Sequence, residues 1–197
     1  MYQLYLNNES SRGSLAEVWI DKEAKLVKKL YKPTGTTIRN KPPLFQDMEE
    51  IEGMFGREVQ WLTALESDKV VKIYEHGTLT DEEGFYCIQE YGGPTLLEYY
   101  SNGILHTHFP NIKEQIIDLF QFFKEHNVYK YNHAMANMTG TDDGTIKAFD
   151  FKYTEIREPL ARCPSTGKLK RENECHSIDT WIVKIDSTLP DILKKLV

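Results

Sequence analysis

Cysteine is scarce in this chain, with Cys87, Cys163 and Cys175 the only three among 197 residues. They are too scattered to form a disulfide framework, so a reducing, cytosol-like compartment is the expectation. Long apolar runs are missing too: nothing approaches the roughly 18 residues that a membrane-spanning helix requires, which predicts a soluble protein with no membrane partner. The opening Met-Tyr-Gln-Leu-Tyr-Leu has neither the basic start nor the apolar stretch of a secretory signal. Positive charge is in deficit, with 24 Lys and Arg against 30 Asp and Glu and a formal charge of -6. Nucleic-acid binding, which relies on clustered cations to neutralise phosphates, is disfavoured by that balance. Repeats and low-complexity segments are also absent. What remains is an ordinary globular composition, 40% hydrophobic and 27% charged, in a chain long enough for one core or two small lobes.

Turn signals alternate with β-rich runs in the first third of the chain. Tyr2 to Leu6, Glu17 to Asp21 and Lys25 to Tyr31 read as strands of a small antiparallel sheet, with a tight turn at Asp21 to Ala24. Beyond the segment from Pro33 to Pro43, the residues Met48, Ile51, Phe55, Val59, Leu62 and Leu65 recur at helical spacing, and Gly53 and Gly56 are positions where that helix could divide. Val70 to Tyr74 and Phe85 to Glu90 read as two more strands. After Gly92-Gly93-Pro94 the pattern turns helical, with Ile112, Ile116, Leu119, Phe120 and Phe123 on one face. The expected class is therefore α+β, with a β-rich part at residues 1–91, a mainly helical part at 92–197, and a cleft between two lobes.

Chemistry-bearing residues concentrate between Val128 and Tyr153. Asn132 and Asn137 keep the spacing of a D-x-x-x-x-N loop in which the first member is Asn. Ile146 to Phe149 then reads as a strand leading out of an Asp142-Asp143-Gly144 hairpin turn and into Asp150-Phe151-Lys152, similar to a D-F-G segment with Lys in place of Gly. In this order the residues resemble the catalytic core of the protein kinases, and the rest of the chain can be compared with that family. Ser11 to Val18 resembles a sparse glycine-rich loop that keeps Gly13 and Val18. Leu26-Val27-Lys28 is similar to the V-A-I-K strand, with Lys28 as the phosphate-binding lysine and Lys29 pointing the other way. Glu58, in Arg57 to Leu62, is the candidate partner of that lysine. Ile88 to Gly93 resembles a hinge, with Gln89 as gatekeeper and the backbone of Glu90, Tyr91 and Gly92 available to adenine. Ser177 to Trp181 is similar to the start of the helix that anchors the catalytic loop, and the chain stops about one helix later.

The resemblance implies a bilobal kinase-like fold with a reduced helical lobe, similar in extent to the short effector kinases that some bacterial pathogens deliver into host cells, or to a viral counterpart. It also implies ATP and Mg²⁺ as cofactors, Lys28, Glu58 and Asn132 in catalytic positions, and a nucleotide site lined by Gly13, Val18, Leu26, Lys28, Gln89, Glu90 and Tyr91. Asn137 and Asp150 would be the metal ligands. An asparagine at 132 cannot take the acceptor proton, and a general base is worth about 10²- to 10⁴-fold in rate. Three activities therefore stay open: slow γ-phosphoryl transfer to protein Ser or Thr, a catalytically inactive pseudokinase acting as a protein-binding module, and another nucleotide reaction such as nucleotidyl transfer. Lys152 could compete with Mg²⁺ for Asp150 or contact phosphate in its place. His133 as a substitute base, Cys163 with Cys175 and His176 as a zinc site, and the basic cluster Lys168 to Arg171 as a docking patch are weaker readings than surface and loop roles.

Overall fold

A computed structural model of the chain describes residues 1–4, 16–33, 47–129, 131 and 135–156. The class is α+β. Five strands form one antiparallel sheet: β1 (Gln3–Leu4), β2 (Ala16–Asp21), β3 (Leu26–Tyr31), β4 (Ile73–Thr78) and β5 (Phe85–Glu90), in the order β1-β2-β3-β5-β4. The β2–β3 turn falls where the sequence places it and is closed by the Ala24 N–H donating to Asp21 Oδ1 at 3.1 Å. Directly opposed residues of antiparallel strands share a face. Register therefore puts Val18, Lys29 and Cys87 on one face of the sheet and Trp19, Lys28 and Ile88 on the other.

One long helix, α1 (Met48–Ala64), covers the first of these faces. Asp47 caps it by accepting from the Glu50 N–H at 2.7 Å. It runs unbroken through Gly53 and Gly56, where sequence allows a division. A helical glycine costs about 1 kcal/mol relative to Ala. The buried stripe Ile51, Met54, Glu58, Trp61 and Leu62 offsets this by seating the helix on both sides of the two glycines. Its first half joins Ala16, Tyr31 and Cys87 in a sheet-side hydrophobic cluster, and Phe55 stacks on Phe85 with centroids 4.8 Å apart. Trp61, Leu62 and Leu65 belong instead to a second, larger cluster.

That second cluster is built on α2 (Leu96–Ser101), α3 (Leu105–His108) and α4 (Ile112–Glu125). A capping box of Thr95 and Glu98 starts α2, and the expected face of α4 is buried throughout, from Ile112 to Phe123. Two short pairs complete the arrangement: β6 (Val128–Tyr129) with β9 (Glu155–Ile156), and β7 (Met138–Gly140) with β8 (Ile146–Ala148). Val70 and Val71, expected to open a sheet strand, bond to β8: the Val71 N–H donates to Ala148 O at 3.0 Å, and the Ala148 N–H donates to Lys69 O at 2.9 Å. Both valines are almost wholly buried in the helical cluster, so their apolar surface draws this stretch off the sheet, and β4 begins only at Ile73.

The connection from Tyr91 to Thr95 lies tightly on β7. Thr139 Oγ1 shares its one proton between Gly93 O at 2.7 Å and Pro94 O at 3.0 Å. Gly93 takes φ +116°, and a Cβ there would stand 2.2 Å from Gly140 O, so glycine is required both by backbone conformation and by contact. Among the described residues, no helix is long and apolar enough to cross a membrane.

Candidate functional site

Three separated stretches, β3, α1 and the segment after β8, meet beneath the inner face of the sheet. Lys29 Nζ donates to Glu58 Oε1 at 2.6 Å, and both side chains are nearly inaccessible, at 8% and 0% exposure. Gln89 Nε2 donates to the same oxygen at 2.9 Å. On its other side Lys29 Nζ lies 4.0 Å from Asp150 Oδ1 and 5.7 Å from the centre of the Phe149 ring. Asp150 is in turn clasped by Lys152, whose ammonium donates to Oδ1 at 2.6 Å and to Oδ2 at 2.7 Å. The cluster thus alternates two cations and two carboxylates, Glu58–Lys29–Asp150–Lys152. Among the described residues, Glu58 Oε2 and the Tyr31 hydroxyl are buried without a hydrogen-bond partner.

The same helix that carries Glu58 also holds the other side of the cluster. Arg57 Nε donates to Lys152 O at 2.7 Å, and Trp61 Nε1 donates to Thr154 O at 3.0 Å. Asp150 has φ +67°, a left-handed conformation that Asp tolerates better than most residues, and its neighbour Phe151 is fully buried in the helical cluster. Tyr131 ties the remaining backbone together: its buried hydroxyl shares its one proton between Asn137 O at 2.5 Å and Phe149 O at 2.9 Å. The Phe149 N–H also donates to Asn137 O, at 3.0 Å. Asn137 and Asp150 are therefore held close along the backbone, on either side of the β7–β8 hairpin.

Several site expectations change. The lysine paired with Glu58 is Lys29. Lys28 lies on the opposite face of the sheet, its Nζ 5.5 Å from the centre of the Tyr86 ring. Strand alternation guarantees that one of two adjacent lysines faces α1 but does not say which. The V-A-I-K spacing laid on Leu26-Val27-Lys28-Lys29 ends on Lys29, and that was the usable signal. For the same reason Leu26 faces away with Lys28, and Val27 takes its place on the face shared with Val18 and Gln89.

The hinge segment is partly committed already. The Glu90 N–H donates to Lys72 O at 2.8 Å and the Tyr91 N–H donates to Lys25 O at 2.9 Å. The Glu90 side chain is on the outer face and pairs with Lys147 at 2.7 Å. Gly13 and Asn132 lie outside the described residues, as do His133, Lys168 to Arg171, Cys163, Cys175, His176 and Ser177 to Trp181.

Electrostatics follow from this packing. Burial works against the Lys29 ammonium, but the Glu58 and Asp150 carboxylates outweigh it and hold its pKa above the ordinary lysine value. Burial likewise opposes the charged form of Asp150, yet Lys152 and then Lys29 prevail and lower its pKa below the usual 3.8. The Cys87 thiol beside them is pushed up to about 12, chiefly by burial, which makes it inert. A carboxyl whose folded pKa is depressed stabilises the fold above its unfolded pKa and loses that contribution as pH falls through the folded value. Lys29, with its pKa raised, contributes below the ordinary lysine pKa and loses the contribution only as pH rises through its own folded value. Melting temperature should therefore fall as pH drops below the usual carboxylate range. In an Asp150→Asn variant the acid-dependent part of the loss should shrink, and an unchanged acid slope in thermal melts would contradict this assignment.

Mg²⁺ was expected on Asn137 and Asp150. Hard oxygen donors suit that ion in kind, but Mg²⁺ needs near-octahedral oxygen coordination and gives up its waters reluctantly. Both Asp150 oxygens accept from Lys152, so a divalent cation at this pair would have to share the carboxylate with that ammonium or displace it. Among the described residues no three His, Cys, Asp or Glu side chains cluster as a metal-binding group. No protein-family model matches the chain, and a search of curated proteins finds no match either.

Proposed function

We propose that the protein is a nucleotide-binding protein of the protein kinase-like type, bilobal in architecture, with ATP as the ligand whose phosphates meet Lys29. One observation carries this reading: the buried Lys29–Glu58 pair is set against Asp150 and connects the sheet, α1 and the segment after β8. Buried ion pairs add little net stability compared with apolar packing, whereas charged clusters that perturb one another's pKa values gather at functional sites. The order lysine, glutamate, Gln89, Asn137 and Asp150 along the chain is also that of the kinase family. Adenine would lie against Val18 and Val27 beside the Glu90 to Gly92 backbone.

The clasp of Lys152 on Asp150 favours a nucleotide-regulated protein-binding module, because an ammonium already stands on the carboxylate that a catalytic metal would use. The formed Lys29–Glu58 pair favours a second reading, weak transfer of the γ-phosphoryl to a protein Ser or Thr. Incubation with α- and γ-labelled ATP separates the two and also detects nucleotidyl transfer. Binding itself is tested by titration calorimetry with ATP, in the presence and absence of MgCl₂. Saturable binding is the expected result. A Lys29→Met/Glu58→Gln variant, which strands no buried charge, should bind about 10- to 100-fold more weakly, the effect of losing a charged hydrogen bond of roughly 1.5–3 kcal/mol. No saturable binding under either condition, or equal binding by a variant that melts as a folded protein, would refute the reading.

A further inference from the structure

Lys152 is the part of the cluster that the kinase resemblance does not explain. It occupies the D-F-G glycine position, and its ammonium spans both oxygens of Asp150 at 2.6 and 2.7 Å. The two side chains are only 13% and 19% exposed, so this is a largely desolvated contact and not a loose surface pair. The placement is held from both ends: the Lys152 carbonyl accepts from Arg57 Nε at 2.7 Å, and the side chain runs beside the Tyr153 ring, with Nζ 5.7 Å from its centre. Lys29 stands on the other side of the same carboxylate, 4.0 Å from Oδ1.

A polyphosphate chain approaching Asp150 without a counterion would meet a bare carboxylate and be repelled. In a metal-dependent site the divalent ion cancels that charge and bridges to the phosphates. Here the cancellation is built into the chain. An ammonium has three donors, and two of those on Lys152 are directed at Asp150. The third, together with Lys29, gives a phosphate a pair of cations flanking one neutralised carboxylate. Displacing Lys152 to admit Mg²⁺ would cost two charged hydrogen bonds in a poorly solvated setting, as well as dehydration of the ion.

We infer that Lys152 takes the place of the divalent cation at Asp150, so that the protein binds a nucleoside triphosphate without metal through Lys29 and Lys152. The inference rests on the nucleotide-binding reading above. It specifies how the phosphates are held, and it fits a binding module better than a phosphoryl-transfer enzyme.

The test is calorimetric titration of the full chain with ATP, once in excess EDTA and once in MgCl₂, for the wild type, Lys152→Gly and Lys152→Met. Wild-type affinity should agree between the two conditions within about threefold. Lys152→Gly frees Asp150 and should weaken binding in EDTA by about tenfold or more, with Mg²⁺ restoring much of the loss. Lys152→Met keeps the apolar stem and should show the same loss in EDTA, which separates charge from packing, and thermal melts establish that each variant is folded. Mn²⁺ titrated alone and followed by electron paramagnetic resonance should bind to Lys152→Gly and not to the wild type. Wild-type binding that requires Mg²⁺ overturns this inference and leaves the nucleotide reading standing, as does undiminished binding by both variants in EDTA. Absence of ATP binding under every condition overturns both.

Discussion

Replacing Glu58 with alanine should destabilise the protein by about 3 kcal/mol or more, because Lys29 would be left as a buried cation with only the more distant Asp150 carboxylate. At roughly 2–4 °C per kcal/mol for a chain of this size, the melting temperature should fall by about 6–12 °C. Gln89 also loses its acceptor on Glu58, which adds to the cost. The Lys29→Met/Glu58→Met double variant, with both charges gone, should be more stable than the sum of the Lys29→Met and Glu58→Met single losses predicts. Thermal melts of all four proteins measure that coupling directly. A shift under about 2 °C for Glu58→Ala would mean that the pair is not desolvated as described.

A loss of similar size is expected for Phe151→Ala. Phe151 is completely buried, meets Phe123 edge-on with centroids 5.9 Å apart, and lies 4.8 Å from the Tyr131 ring. Truncating a fully buried phenylalanine costs about 3–5 kcal/mol through lost transfer energy and the cavity left behind. Urea unfolding should show the midpoint fall with little change in slope. Tyr153→Ala, two residues on and 48% exposed, is the control and should stay within about 0.5 kcal/mol of the wild type. If the two substitutions cost the same, Phe151 is not the anchor beneath Asp150.

Much of the architecture could be read from the residues in order. Strands at Ala16–Asp21, Leu26–Tyr31 and Phe85–Glu90, the long helix over Met48–Ala64, and the buried face of Ile112–Glu125 all stand where alternation or helical spacing put them. These are local signals: period-2 or period-3.6 burial of apolar side chains, with turn residues between. Val70 and Val71 were harder, because two adjacent buried valines suit either a sheet strand or a bridge to β8. Only the depth of the helical cluster decides between them.

Within the candidate site, Glu58, Gln89 and Asp150, three residues that the sequence singles out, are brought together around Lys29, while Asn137 joins through its backbone carbonyl. Lys29 was missed, although the four-residue strand motif ends on it. Lys152 stands in the sequence as a cation able to compete for Asp150 or to contact phosphate, and its seat on both Asp150 oxygens comes from the fold, since a lysine two positions from an aspartate can point to either side of the chain. Arg57 and Trp61 gave no chemical signal at all: their role is to bind the Lys152 and Thr154 carbonyls, and backbone acceptors leave no trace in a sequence.

By itself, the sequence determined the α+β class, the main elements, and the order in which lysine, glutamate, asparagine and aspartate occur along the chain. These follow from side-chain periodicity and from residue identity, which do not depend on distant parts of the chain. Tertiary structure alone decided which of two adjacent lysines faces Glu58 and that Lys152 lies on Asp150. Both outcomes are set by which face of β3 the helix α1 covers and by where the segment after β8 packs against that helix. Such contacts join residues far apart in the chain, and their energies come from burial and charge pairing that exist only once the chain has folded.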